Sequence, residues 1–204
     1  MRQRMMVVLA GLVLAAPPAW ATTYAIDRDH TTVSFKIRHL FSNVEGTFNE
    51  FEGTFEYVPD QPEQWKAEAI IQAASIDTRV EQRDTHLRSP DFFDVAQYPV
   101  ISFMSTGVSE VTEEGAKLEG LLMIHGVELP VVLDLVIHGE GRDPWGNLRS
   151  RFTATTTINR KDFGLTWNEV LETGQLFVGE EVEITLEVEG LFKGITPEGT
   201  EAGG

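Results

Sequence analysis

Apolar and polar residues alternate through most of this chain. In TVSFKIRHL, Val33, Phe35, Ile37 and His39 fall on one face, with Ser34, Lys36 and Arg38 on the other. EVEITLEVEG is cleaner still: Val182, Ile184, Leu186 and Val188 alternate with Glu183, Thr185, Glu187 and Glu189. A period of two marks strands of an antiparallel sheet with one wet face. The same pattern recurs in GTFNEFEGTFEYV, WKAEAIIQAASI, VISFMSTGVSEV, GAKLEGLLMIHG, PVVLDLVIHGEG and LRSRFTATTTI. Turn residues separate these segments at hairpin spacing, as in HGVELP and GEGRDPWGN. Roughly eight long strands and little helix predict an all-β sandwich or closed barrel. A barrel of that size is either filled by its own side chains or holds one small ligand, and periodicity leaves both open.

One stretch breaks the pattern: SIDTRVEQRDTHLRSPDFFDVAQYPVISF, from Ser75 to Phe103. Thr78 and Glu81 have the spacing of a capping box. A helix from about Arg79 to Arg88 would place Val80, Asp84 and Leu87 on one face. Ser89-Pro90-Asp91 resembles a second helix start, with proline at the first helical position. In a barrel, such a connection carrying Phe92 and Phe93 lies across one end.

At the N-terminus, Arg2 and Arg4 precede the apolar run MMVVLAGLVLAA, too short to span a bilayer, and AWA supplies a small-x-small site. The expectation is a signal peptide over residues 1–21, cut after Ala21, and hence a periplasmic protein. A single domain would follow over 22–193, then a flexible tail over 194–204. Cleavage removes two of the 16 basic residues and none of the 32 acidic ones, leaving a net charge of 14 − 32 = −18. That balance argues against nucleic acid and against adsorption to anionic headgroups. The chain has no cysteine, so its stability rests on packing and strand pairing.

Candidate chemistry is sparse. His30, His39, His86, His125 and His138 show no metal-binding spacing, leaving only a site assembled at a distance, such as His39 with His86 and Asp84. Ser75, Asp77 and His86 could be drawn as a triad, but no nucleophile motif surrounds them. Carboxylate pairs are inevitable among 32 acidic residues, and Trp65, Trp145 and Trp167 are better suited to hairpins and barrel ends than to stacking sugars. What remains is Arg83, Asp84 and His86 beside Phe92, Phe93 and Tyr98. Polar groups next to apolar ones at the end of a tube suit an amphiphile with its tail inside. Equally, Arg83 and Asp84 could pair while the phenylalanines plug the barrel.

The segments YAIDRDHTTVSFKIRHL, VEGTFNEFEGTF, SIDTRVEQRDTHLRSPDFFDVAQYPVISF, LMIHGVELPVVL and TTTINRKDFGLTWNEVLETGQLFVGEEVEITLEVEG, in this order and spacing, resemble the YceI-like family over about Thr23 to Phe192. The resemblance implies an extended, eight-stranded antiparallel, lipocalin-like barrel with a short helical cap. It further implies a polyisoprenoid or similar amphiphilic lipid (quinone or prenyl-phosphate type) as ligand, no established catalysis, and often a dimer; the histidine spacing adds the expectation of no metal, and no other cofactor is expected. On that basis the cavity wall is expected from Val33, Phe35, Ile37, Ile70, Phe103, Leu122, Leu133, Leu135, Phe152 and Ile158. The mouth and lid are expected from His39, Arg83, Asp84, His86, Phe92, Phe93, Arg160 and Asp162, with Arg160 neutralising a buried carboxylate. In EAIIQAA and LLMI both faces are apolar, so the inward face is ambiguous there. Two rivals remain: an enzyme acting on such a lipid through His39, His86 and Asp84, and a solid barrel with a structural or stress-response role.

Overall fold

The computed structural model describes residues 20–170 and 177–197. Its strands are, in chain order, β1 (Trp20–Ile26), β2 (Thr32–His39), β3 (Ser42–Phe48), β4 (Phe51–Glu56), β5 (Lys66–Gln72) and the two-residue β6 (Ile76–Asp77). Helix α1 (Glu81–Arg88) follows, and then β7 (Val100–Ser109), β8 (Gly115–Ile124), β9 (Val127–Arg142), β10 (Leu148–Asn159) and β11 (Val178–Pro197). From β4 through β5, β7, β8, β9 and β10 to β11, each strand pairs antiparallel with the next. The far edge of β11 then takes β2 along its first half and β1 along its second. Because β1 also pairs with β4 and β2 with β3, β1–β2 and β3–β4 are each one bent stave. The result is a closed antiparallel barrel of eight staves, which leaves no long sheet edge unpaired.

The expected C-terminal tail begins later than Gly194, because β11 stays paired with β1 as far as Pro197. Trp20 and Ala21, on the leader side of the expected cleavage, form the first pairs of β1. The rest of the leader and residues 198–204 lie outside the described residues.

The inward positions fill the barrel unevenly. At one end Tyr24, Phe55, Tyr57, Trp65 and Phe152 make a solid aromatic plug. Phe152 meets Tyr57 edge-on at 4.9 Å and Phe55 at 5.3 Å between ring centroids, while Tyr24 stacks on Phe55 at 5.0 Å. Gly190 lies under the Phe55 ring, where a Cβ would come within 2.3 Å of a ring carbon. Tyr24 is fully buried and hydrogen-bonds to Glu140; burial first, and the carboxylate second, push its phenol pKa up. Leu118, Leu133 and Ala154 form the next layer, with Leu135 packed against it. Beyond them the barrel is hollow.

One polar knot, centred on Arg149, fastens the plugged end. Arg149 donates to Asp27 and Glu189 at 2.6 Å each and to Asp143 at 3.1 Å, tying the β1–β2 corner, β11 and the β9–β10 turn together. Asp143 also accepts from the Trp145 and Asn147 amides and the Asn147 side chain. Desolvation alone would raise its pKa, but these donors together outweigh it and hold the carboxyl at about 2. A lowered pKa contributes stability above the unfolded value of 3.8 that disappears as pH falls toward about 2. Asp143→Asn is therefore expected to lose stability at neutral pH, with the gap to wild type closing between about pH 4 and pH 2. Urea midpoints measured across that range check it; a gap independent of pH would show that the carboxylate charge plays no part.

The cap differs from the sequence expectation in detail. Helix α1 starts at Glu81, after Arg79 in a left-handed conformation (φ 65°), and no side chain caps Val80. The Thr78–Glu81 capping box does not form. Thr78 instead gives both its amide, at 2.9 Å, and its hydroxyl to the buried carboxylate of Asp84. Asp84 lies inside the barrel end and offers Thr78 a shielded acceptor, which the exposed Glu81 cannot match. Ser89–Asp94 is a run of turns without a second helix, closed by Phe92 and Asp94 amides donating to the Ser89 carbonyl.

Candidate functional site

The hollow half of the barrel is a cavity of about 620 Å³, within the ~300–1,000 Å³ range of small-molecule sites. Its wall is built from one face of each surrounding strand. β2 supplies Val33, Phe35 and Ile37; β3 and β4 supply Val44, Phe48 and Phe51; β5 and β7 supply Ile71, Ile101 and Phe103. β8 and β9 add Leu122, Ile124, Val131 and Leu133, β10 adds Thr156 and Ile158, and β11 adds Val182, Ile184, Leu186 and Val188. Two glycines let rings lie flat against the wall: a Cβ on Gly46 would come within 2.5 Å of Phe35, and one on Gly120 within 2.4 Å of Phe103.

The open end lies between the β2–β3 hairpin, α1 and the start of β11. There His39, Val80, Gln82, Arg83, His86, Phe92, Phe93, Trp167 and Phe177 line the space. His86 is the hub of the lid. Its Nε2 lies 2.9 Å from Asp91, and its ring meets Phe92 and Trp167 edge-on at 5.0 and 4.9 Å. His39 stands edge-on to Phe177 at 4.4 Å, and Phe93 to Phe48 at 5.8 Å. Arg83 turns its guanidinium back onto the Thr78 hydroxyl and carbonyl, both at 2.7 Å. The two alternatives for the cap therefore resolve differently. Arg83 and Asp84 share Thr78 rather than pairing with each other, and the phenylalanines border a cavity instead of plugging it.

Of the residues expected in the wall, Val33, Phe35, Ile37, Phe103, Leu122, Leu133 and Ile158 line the cavity. Three do not. Ile70 points outward and is 42% exposed, because Ala69 and Ile71 take the inward positions of β5. Phe152 faces inward but belongs to the aromatic plug, and Leu135 packs in the leucine layer that floors the cavity. At the mouth, His39, Arg83, His86, Phe92, Phe93 and Arg160 line the space, but Asp84 and Asp162 do not. Asp84 is buried on Thr78, and Asp162 is exposed in the 3₁₀ turn after β10.

Arg160 does not neutralise a carboxylate. Only 3% exposed, it donates from Nε to the Gly179 carbonyl at 2.8 Å and from Nη1 to the Leu165 carbonyl at 2.6 Å. Burial pushes its pKa down, partly offset by the charge of Glu180, whose own carboxylate is held by Lys161. Backbone carbonyls thus take the place of a counter-ion, and Arg160 pins the Leu165 loop to the start of β11.

The catalytic constellations do not assemble. Ser75 donates to the Gln72 carbonyl, Asp77 accepts from the Arg79 amide, and His86 is held by Asp91. Among the described residues, the group of three with metal-ligand spacing is Asp27, His30 and Glu189; His39, His86 and Asp84 are not part of it. The Arg149 guanidinium already sits on Asp27 and Glu189, supplying the cation from within the chain.

Comparison with known proteins agrees with this architecture. The model of the YceI-like domain matches residues 24–190. A UPF0312 protein of Pseudomonas savastanoi pv. phaseolicola is 42% identical over 160 residues, covering 77% of this chain and 83% of the relative. One from Azotobacter vinelandii is 38% identical over 186 residues, covering 90% and 94%. Among solved structures, Burkholderia cenocepacia BcnA superposes with a TM-score of 0.72 at 22% identity, over 80% of this chain and 98% of its own. The Campylobacter jejuni YCEI protein gives 0.67 at 29% identity, over 76% and 88%. A polyisoprenoid binding domain from Saccharophagus degradans, implicated in plant cell wall breakdown, gives 0.65 at 16% identity, over 84% and 99%.

Proposed function

The chain belongs to the YceI-like domain family, and from that premise we propose that it is a non-catalytic periplasmic carrier or sequestering protein for a polyisoprenoid or similar amphiphilic lipid. The observation that carries this reading is the apolar cavity: strand side chains wall it, a leucine layer floors it, and aromatic rings border its single polar end. A hydrocarbon tail gains ~0.8 kcal/mol per buried CH2 group in such a space. That gain soon exceeds association costs on the order of 4–15 kcal/mol, so tail length dominates affinity. The polar groups at the mouth suit a quinone or prenyl-phosphate head, and the Saccharophagus fold neighbour is itself a polyisoprenoid binder.

A carrier rather than an enzyme is favoured by the state of the polar groups. Arg83 is turned back onto Thr78, and the imidazoles of His86 and His39 are packed edge-on against Phe92, Trp167 and Phe177. The periplasmic address rests on the leader, and no helix among the described residues is long and apolar enough to cross a membrane.

The test is mass spectrometry on an organic extract of the protein, purified from the periplasmic fraction without detergent. One isoprenoid species near one equivalent per barrel is the expected result. An empty extract, from protein that also refuses added ubiquinone and farnesyl phosphate, would overturn the reading.

A further inference from the structure

The rim of the cavity carries apolar and cationic side chains that the barrel leaves exposed to solvent. Phe41, at the tip of the two-residue β2–β3 turn, is 88% exposed, the most exposed of the large apolar side chains described. Leu40 just before it adopts φ 54°, and its amide donates to the Phe177 carbonyl at 3.0 Å, so the tip is pinned over a residue of the cavity mouth. Across the mouth, Val80 both lines the cavity and is 47% exposed. Each apolar tip has an arginine beside it. Arg38 donates only to the Leu40 carbonyl, and neither Arg38 nor Arg79 belongs to an ion pair among the described residues. Asp77 and the exposed Glu81 lie close to Arg79, yet in a chain with 32 acidic residues these two guanidinium groups stay free of ion pairs among the described residues.

We propose that this rim docks on an anionic lipid bilayer, with Phe41 entering the headgroup region and Arg38 and Arg79 facing lipid phosphates. The proposal rests on the lipid-carrier reading, because a buried tail must leave and re-enter a membrane at the mouth. An apolar tip next to a long cationic side chain is the usual interfacial anchor: the ring sits among the acyl chains while the guanidinium reaches phosphate. The negative charge of the rest of the barrel does not prevent this. At physiological ionic strength fields decay over ~8 Å, so a bilayer meeting the barrel end-on senses mainly the rim. The same negative charge makes the contact directional and brief, as delivery requires.

The experiment follows a dansyl-tagged geranylgeraniol probe into the protein from two donors: vesicles of phosphatidylcholine with or without phosphatidylglycerol, and cyclodextrin solution. Phe41→Ser is expected to slow uptake from vesicles at least about tenfold and to leave loading from cyclodextrin unchanged. Arg38→Gln and Arg79→Gln are each expected to slow uptake about fivefold from phosphatidylglycerol vesicles and not from phosphatidylcholine alone. Wild-type rates from vesicles in Phe41→Ser, with cyclodextrin loading intact, would overturn the docking surface alone. So would a dimer that Phe41→Ser dissociates without changing vesicle uptake, since the patch would then serve self-association. No loading of the wild type from either donor would overturn both the docking and the carrier reading.

Discussion

Phe103→Arg is expected to empty the barrel without unfolding it. The Phe103 ring lies flat over Gly120 and forms part of the cavity wall with Leu122 and Leu133. A guanidinium in its place would stand in the apolar half of the cavity, with no carboxylate among the described wall residues to receive it. An unpaired charge facing a hydrocarbon tail costs several kcal/mol. The hollow gives the new side chain room to keep water around it, so that cost falls on the bound lipid and not on the fold. Lipid affinity should drop at least about 100-fold, equivalent to ~3 kcal/mol, with the β-sheet circular dichroism unchanged. Co-purified lipid, measured by extraction, is the readout; wild-type content would refute the assigned wall. Leu135→Arg offers the contrast. It strikes the layer in which Leu135 packs against Leu118, Leu133 and Ala154, and should cost stability instead.

Phe152→Ala should do the opposite: weaken the barrel and spare the cavity. Phe152 is 8% exposed and meets both Tyr57 and Phe55 edge-on in the plug. Truncating a buried phenylalanine typically costs ~3–5 kcal/mol through lost transfer energy and the void left behind. In a domain of this size that corresponds to a fall in Tm on the order of 10 °C. Thermal unfolding followed by circular dichroism measures the loss, and lipid content per folded protein should hold. A shift within a degree or two would show that the plug is not where the stability lies.

These two residues also mark what the sequence could and could not convey. Period-two alternation identified the inward face of β2, β7, β9 and β10 well enough to place Val33, Phe103, Leu133 and Ile158 on the wall, whereas Leu122 was placed there in a β8 segment whose two faces are both apolar. It carries no information about height along the barrel axis, so Phe152 and Leu135 looked equivalent to Ile158 although they lie in the packed half. In β5 the run Ala69-Ile70-Ile71 is apolar on both faces; a choice of Ile70 over its neighbours is an error of one residue, and one residue reverses the face. The inward residues of β11, Ile184 and Leu186 among them, had the same clear alternation and could have been placed on the wall from it. Other features depend on contacts between residues far apart in sequence, which no local pattern reveals. Arg149 gathers Asp27, Asp143 and Glu189 from three separate segments. Asp84 wins Thr78 from Glu81 only because the fold buries it.

The pairing of β11 also sets the order of events during folding. This strand, last in the sequence, is the neighbour of β10 on one side and of both β2 and β1 on the other. Contacts such as Tyr24 with Phe192 and Val33 with Leu186 span nearly the whole domain. Until residues 178–197 have emerged, β10 and the β1–β2 stave are open edges and the cavity lacks one wall. Closure is therefore a late event that must overcome a large loop-closure entropy, and the barrel belongs among slow-folding, high contact order topologies. Under the export proposed above, in which the chain would cross a membrane unfolded, that delay is an advantage. The last strand acts as a latch that cannot shut before the whole polypeptide has arrived.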